Sequence, residues 1–245
     1  MDELLEGLKR LKLRQTRDHV DEYCQLAATR DMNFREFLKL IVMEEVAARE
    51  ETQRAKRLRA ARIPVPKSLA DFDWAFQPSL PKREILELHS LRFVDQHENV
   101  ILLGPPGLGK THIASALAYE AAVQGKEVMF TTAQELVDRC YAAMADGTVK
   151  QVLRAWSKLD LLVIDELGYI PMDNTAGNHL FQVVSAAYER QSLIVTSNRS
   201  FQDWGALFPN PSLASATLDR LLHHAYVYTF SGESYRLKGG TESSV

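Results

Sequence analysis

The stretch Val100-Ile101-Leu102-Leu103-Gly104-Pro105-Pro106-Gly107-Leu108-Gly109-Lys110-Thr111 decides how this chain folds. Four aliphatic residues without a polar break predict a strand buried on both faces. The glycine-rich segment behind them matches G-x-x-x-x-G-K-[ST] at every fixed position, and a helix is expected to start near Lys110. In that strand–loop–helix setting the backbone N–H groups of Gly104, Pro105, Pro106, Gly107, Leu108 and Gly109, proline excepted, can turn inward around a phosphate. The helix then aims its positive end at the same anion. Lys110 is expected to neutralise the β and γ oxygens of a nucleoside triphosphate and Thr111 to place its hydroxyl on Mg²⁺. A glycine-rich turn that binds nothing is the bland alternative, and a second motif weighs against it.

That motif is Leu161-Leu162-Val163-Ile164-Asp165-Glu166, a buried strand ending in two carboxylates. The carboxyl end of such a strand faces the ligand crevice of an open α/β sheet. Asp165 is expected to hold Mg²⁺, and Glu166 to orient and polarise the attacking water. Two adjacent acids favour hydrolysis over kinase chemistry, the competing reading from another class. A further strand, Leu193-Ile194-Val195-Thr196-Ser197-Asn198, ends at the corresponding edge, where Asn198 can reach a γ-phosphate or the water.

Outward from these motifs, VILLG, EVMFTT, LDLLVIDE, SLIVTSN and AYVYTFSG read as five strands separated by helical stretches. The pattern predicts an α/β, doubly wound, five-stranded parallel sheet in a P-loop domain covering residues 82–237. The first sixty-odd residues lack proline and repeat apolar residues with helical period. This predicts a small helical domain over 1–62, with Asn33 and Glu36 spaced as a capping box and Pro64 and Pro66 ending a helix after Ile63. Residues 63–81, with four prolines and three aromatics, are expected to pack against the following domain, and the tail 238–245 to be disordered.

The composition excludes several classes. With 46% hydrophobic and 25% charged residues and a net charge of −3, the chain is neither a disordered polyelectrolyte nor uniformly basic. Cys24 and Cys140 have no metal or redox spacing, which fits a reducing cytoplasm. No apolar run suffices for a membrane span, so no membrane partner is expected. One basic run, Arg54, Lys56, Arg57, Arg59 and Arg62, is either a solvated helix end or a contact to nucleic-acid phosphates.

Loop, acid pair and Asn-ended strand in this order look like the AAA+ ATPases. GPPGLGKTHIASALAYEAAVQGKEVMF, DLLVIDELGYIP, TSNRSFQDW, LDRLLHHA and GESYRLK together resemble the IstB family of transposition helper ATPases, relatives of the DnaC helicase loaders. The resemblance covers nearly the whole chain. It implies ATP and Mg²⁺ as cofactors, a homo-oligomer assembled on duplex DNA, and a transposase engaged through residues 1–62; a replicative helicase loader is the alternative. It also implies that KSLADFDW lies near the nucleotide base, with Phe72 and Trp74 as candidates and plain core packing as the other reading. LDRLLHHA supplies Arg220 at the position of an arginine finger, and GESYRLK supplies Arg236 as a nucleotide or interface contact. The chain after Asn198 is too short for a C-terminal helical lid, in keeping with IstB and DnaC proteins. DNA contact is expected from Arg139, Lys150, Arg154 and Lys158 between the second and third strands, directed at the backbone and tolerant of sequence.

Overall fold

The computed structural model describes residues 2–169, 172–205, 207, 208 and 210–235, and it divides into two compact units, residues 1–56 and 57–245. The first contains α1 (Asp2–Arg10), α2 (Arg14–Thr29) and most of α3 (Phe34–Ala61). The expected capping box starts α3: Asn33 Oδ1 accepts the N–H groups of Arg35 and Glu36, and the Glu36 carboxylate accepts the N–H of Asn33 at 3.0 Å. A buried carboxylate ties α3 to α2. Glu45 accepts both the backbone N–H of Thr16, at 3.0 Å, and its hydroxyl, at 3.2 Å, while Arg49 donates to its other oxygen at 3.1 Å. Burial pushes the Glu45 carboxyl up, but the Thr16 backbone bond, together with Arg49 and the Thr16 hydroxyl, outweighs it and leaves the group below the ordinary carboxylate range.

α3 stops at Ala61, two residues before the expected end, because Arg62 turns into the left-handed region at φ 53°. Pro64 adds to the stop by disfavouring helical geometry at Ile63. Residues 63–81 form no long element. Leu69, Phe72 and Leu80 are nevertheless buried in the core shared with the sheet, and a short turn of 3₁₀ helix at Leu69–Asp71 is capped by Ser68. The capacity to bury apolar side chains, rather than regular backbone bonding, holds this segment down.

The second unit continues with α4 (Lys82–Glu87), α5 (Arg92–Asp95), β1 (Asn99–Leu103), α6 (Lys110–Val123), β2 (Val128–Thr132), α7 (Ala133–Ala145), α8 (Val149–Trp156), β3 (Leu161–Leu167), α9 (Asn174–Ala187), β4 (Ser192–Ser197), α10 (Phe201–Trp204), α11 (Pro211–Leu222) and β5 (Ala225–Thr229). The five strands pair in parallel in the order β2-β3-β4-β1-β5. Strand alternation divides the core. Val100 and Leu102 of β1 join the cluster formed with α6, whereas Ile101 and Leu103 join the cluster formed with α7, α9 and α11. Both faces are thus closed, which is why β1 carries no outward polar residue. Among the described residues no helix is long and apolar enough to cross a membrane.

Candidate functional site

A cavity of about 750 Å³ opens at the carboxyl ends of β1, β3 and β4, floored by Pro106 to Thr111 and edged by Glu166, Thr196 and Asn198. The floor has the shape its glycines allow. Gly109 caps α6 with φ +92°, and a Cβ there would come within 2.6 Å of the Phe72 ring, so the aromatic packs directly on the loop backbone. Gly107, at φ +78°, is covered by Ser234, and its carbonyl accepts the N–H of Tyr235 at 3.0 Å. The segment after β5 therefore lies across the loop. Lys110, 8% exposed, donates to the carbonyls of Gly104 and Pro105, each at 2.6 Å.

Asp165 is buried at 5% exposure and gathers two hydroxyls. Thr111 donates to its carboxylate at 3.0 and 3.1 Å, and Thr196 donates to Oδ1. The Thr111 hydroxyl and the Asp165 carboxylate are hard oxygen donors of the kind Mg²⁺ accepts. Beside them the β3–β4 ladder shifts register. Ile164 pairs with Val195 and Leu167 with Ser197, so Asp165 and Glu166 together oppose Thr196. Glu166 takes φ +60°, and its N–H is accepted by the Thr196 hydroxyl at 3.0 Å. Its side chain projects exposed into the cavity wall. The Oδ1 of Asn198 is buried at the same wall without a hydrogen-bond partner among the described residues.

The two aromatic candidates part company. Phe72 lines the cavity and meets His112 edge-on at 5.3 Å between centroids. Trp74 packs against the core and donates Nε1 to the carbonyl of Leu69 at 3.3 Å. Phe76 and Tyr235 line the cavity too, their rings 4.9 Å apart in an edge-to-face pair, and sequence reasoning missed both. Phe76 sits two residues beyond the DFDW text, and Tyr235 directly precedes Arg236 in GESYRLK. Arg236 itself lies outside the described residues.

Arg220 is elsewhere. It stacks on Phe181 and borders a small crevice with Asn99, Leu193 and His224, at the amino-terminal ends of β1 and β4. The candidate DNA cations differ in commitment. Lys56, Arg59 and Arg62 are exposed, Arg54 pairs with Glu51 at 3.9 Å, and Arg57 is half-buried with Nε donating to the Ala122 carbonyl at 3.3 Å. Lys150 and Arg154 lie on one face of α8, exposed like Lys158 just beyond it. Arg139 rests over the Trp156 ring at 5.6 Å.

The architecture has known counterparts. At 20% identity, the DnaI structure superposes on 67% of this chain and 91% of its own with a TM-score of 0.57. The replication initiator DnaA bound to AMPPCP and single-stranded DNA reaches 0.58 over 71% of this chain and 53% of that one, also at 20% identity. These likenesses show the fold, a parallel α/β sheet with a phosphate loop after its first strand. Sequence relatives are nearer. A protein of insertion sequence IS21 from Pseudomonas aeruginosa, named for ATP binding, is 40% identical over 100% of this chain and 92% of its own length. Its counterpart in insertion sequence IS5376 of Geobacillus stearothermophilus is 37% identical over 95% and 93%. A family model described as IstB-like ATP binding protein matches residues 6–243, and with that match across almost the entire length the chain belongs to the IstB-like ATP-binding family.

Proposed function

We propose that this protein is a Mg²⁺-dependent ATPase that assembles as an oligomer on duplex DNA in the cytoplasm and assists a transposase in target selection and insertion. The observation that carries the reading is the convergence of the phosphate loop, the Thr111–Asp165 pair and Glu166 on one cavity. Insertion-sequence relatives over the whole length favour transposition over helicase loading.

In the loop, the N–H groups from Gly107 to Gly109 and the positive end of α6 receive the phosphates. Lys110 exchanges its two carbonyl partners for β and γ oxygens. Thr111 and Asp165 would hold a Mg²⁺ ion, which would supply neutralisation of the phosphate charge. Glu166 accepts a hydrogen bond from the attacking water and orients it towards the γ-phosphorus, and the partnerless Asn198 carbonyl is a second acceptor for that water. Phe72, Phe76 and Tyr235 enclose the base end. Residues 1–62 recruit the transposase, and Arg139, Lys150, Arg154 and Lys158 contact DNA phosphates.

Turnover by purified protein, with and without duplex DNA, tests the reading against Glu166→Gln. The variant is expected to bind ATP and Mg²⁺ normally while hydrolysis stalls and DNA complexes persist; full turnover by the variant removes Glu166 from the mechanism. Deleting residues 1–62 should spare ATP binding and lose the transposase. A truncated chain that cannot fold would place that segment in the ATPase core.

A further inference from the structure

We propose that Thr196 is the positioning residue of the acid pair: its one hydroxyl sets both the metal-holding carboxylate of Asp165 and the backbone of Glu166. This role rests on the hydrolytic reading above and deepens it.

The β3–β4 ladder carries an anomaly. In a regular ladder each donor facing the neighbouring strand is accepted by a carbonyl of that strand, but the bulge at Asp165–Glu166 sets two residues against one, and Glu166 N–H finds no such carbonyl. The N–H is taken instead by a side chain, that of Thr196. Glu166 also holds a left-handed φ of +60°, which a side-chain-bearing residue adopts at a cost and only where its surroundings enforce it.

Thr196 has the chemistry to enforce it. It is 1% exposed in an apolar strand where valine would fill the same space, so its hydroxyl carries a desolvation cost unless it is bonded. Both of its capacities are used: the proton goes to Asp165 Oδ1 and a lone pair receives Glu166 N–H. β-Branching restricts its χ1, so the oxygen is a fixed point. Thr111 grips the same carboxylate from the phosphate loop. Asp165 is thereby oriented from both sides, by the loop and by β4, while Glu166 is aimed into the cavity by the bulge that the β4 hydroxyl closes. Thr196 need not touch nucleotide to act.

The test uses the full chain carrying Thr196→Val, Thr196→Ser or Thr196→Ala, the last covering the case in which valine does not fold. Amide exchange at Glu166, binding of a fluorescent ADP in EDTA, and ATP turnover against Mg²⁺ concentration are measured. In the valine and alanine variants Glu166 N–H should exchange faster and ADP should bind within about twofold of the parent. Turnover should fall about 10- to 100-fold, as for other partners that orient a metal ligand, with the Mg²⁺ half-saturation raised. Serine should restore both. Unchanged turnover and Mg²⁺ dependence in the valine or alanine variant, or failure of serine to restore them, overturns the proposal. If the unsubstituted protein hydrolyses no ATP, the hydrolytic reading falls separately, and amide exchange alone decides: protection of Glu166 that survives removal of the hydroxyl overturns the role of Thr196.

Discussion

Arg220 lies over the ring of Phe181, its guanidinium carbon 4.8 Å from the centroid, while Nη1 donates to the carbonyl of Ala216 one turn earlier at 3.0 Å. The stack holds the cation at the end of the sheet opposite the acid pair, away from its own subunit's phosphate loop. We propose that Arg220 serves as a finger to the ATP of a neighbouring subunit. Mixing Arg220→Ala with Glu166→Gln, each inactive alone, should then restore part of the ATP turnover, since the first keeps a working Glu166 and the second can lend Arg220. Confirmed mixed oligomers without activity would end the assignment. A finger in trans is worth about 10³ to 10⁵ in rate.

Lys110 offers a simpler expectation. Removing its ammonium in Lys110→Ala takes away the charge opposing the β and γ phosphates, so nucleotide affinity should collapse while the fold, monitored by circular dichroism, stays. Unchanged ATP binding by calorimetry contradicts the loop assignment.

The basic run should divide by commitment. Neutralising exposed Lys56, Arg59 and Arg62 should flatten the salt dependence of DNA binding if they touch phosphates, by about 0.9 in slope for each phosphate no longer neutralised. Arg57→Gln should instead lower the melting temperature, because this side chain is bonded to Ala122. A salt slope that moves only with Arg57 would reverse this division.

Glu45 predicts an acid-labile first unit. Its carboxyl is held below the ordinary range, so the native state favours the ionised form more than the unfolded chain does. That stabilisation is present above the unfolded value, about pH 4, and is lost as pH falls through the lower folded value. Glu45→Gln should melt below the parent at pH 7, with the gap narrowing as pH drops; a constant gap would show that packing, not charge, is what the substitution removes.

The five strands and the phosphate loop were legible because each is a contiguous apolar or glycine-rich text whose period and spacing carry the geometry. So was the capping box at Asn33 and Glu36. Thr196 was not, since in LIVTSN it reads as an ordinary polar strand end, and only the register shift opposite Asp165 shows its hydroxyl turned to the acids. The aromatic wall was half-legible. Phe72 and Trp74 are indistinguishable in composition, and it is the contact with Gly109 for one and the Leu69 carbonyl for the other that separates them. Tyr235 comes from more than a hundred residues downstream of the loop it covers, a distance no local pattern bridges.

That last contact has a practical consequence. Phe230 N–H bonds to Leu103 and Tyr235 N–H to Gly107, so the strand feeding the phosphate loop and the loop itself are both stitched to the chain that leaves β5. A ligand that reshapes the loop is expected to strain these bonds, and movement of the segment beyond β5 to alter the loop. A fluorophore placed at Ser231, outside the cavity and next to Ser79, is therefore a natural gauge of nucleotide exchange in real time.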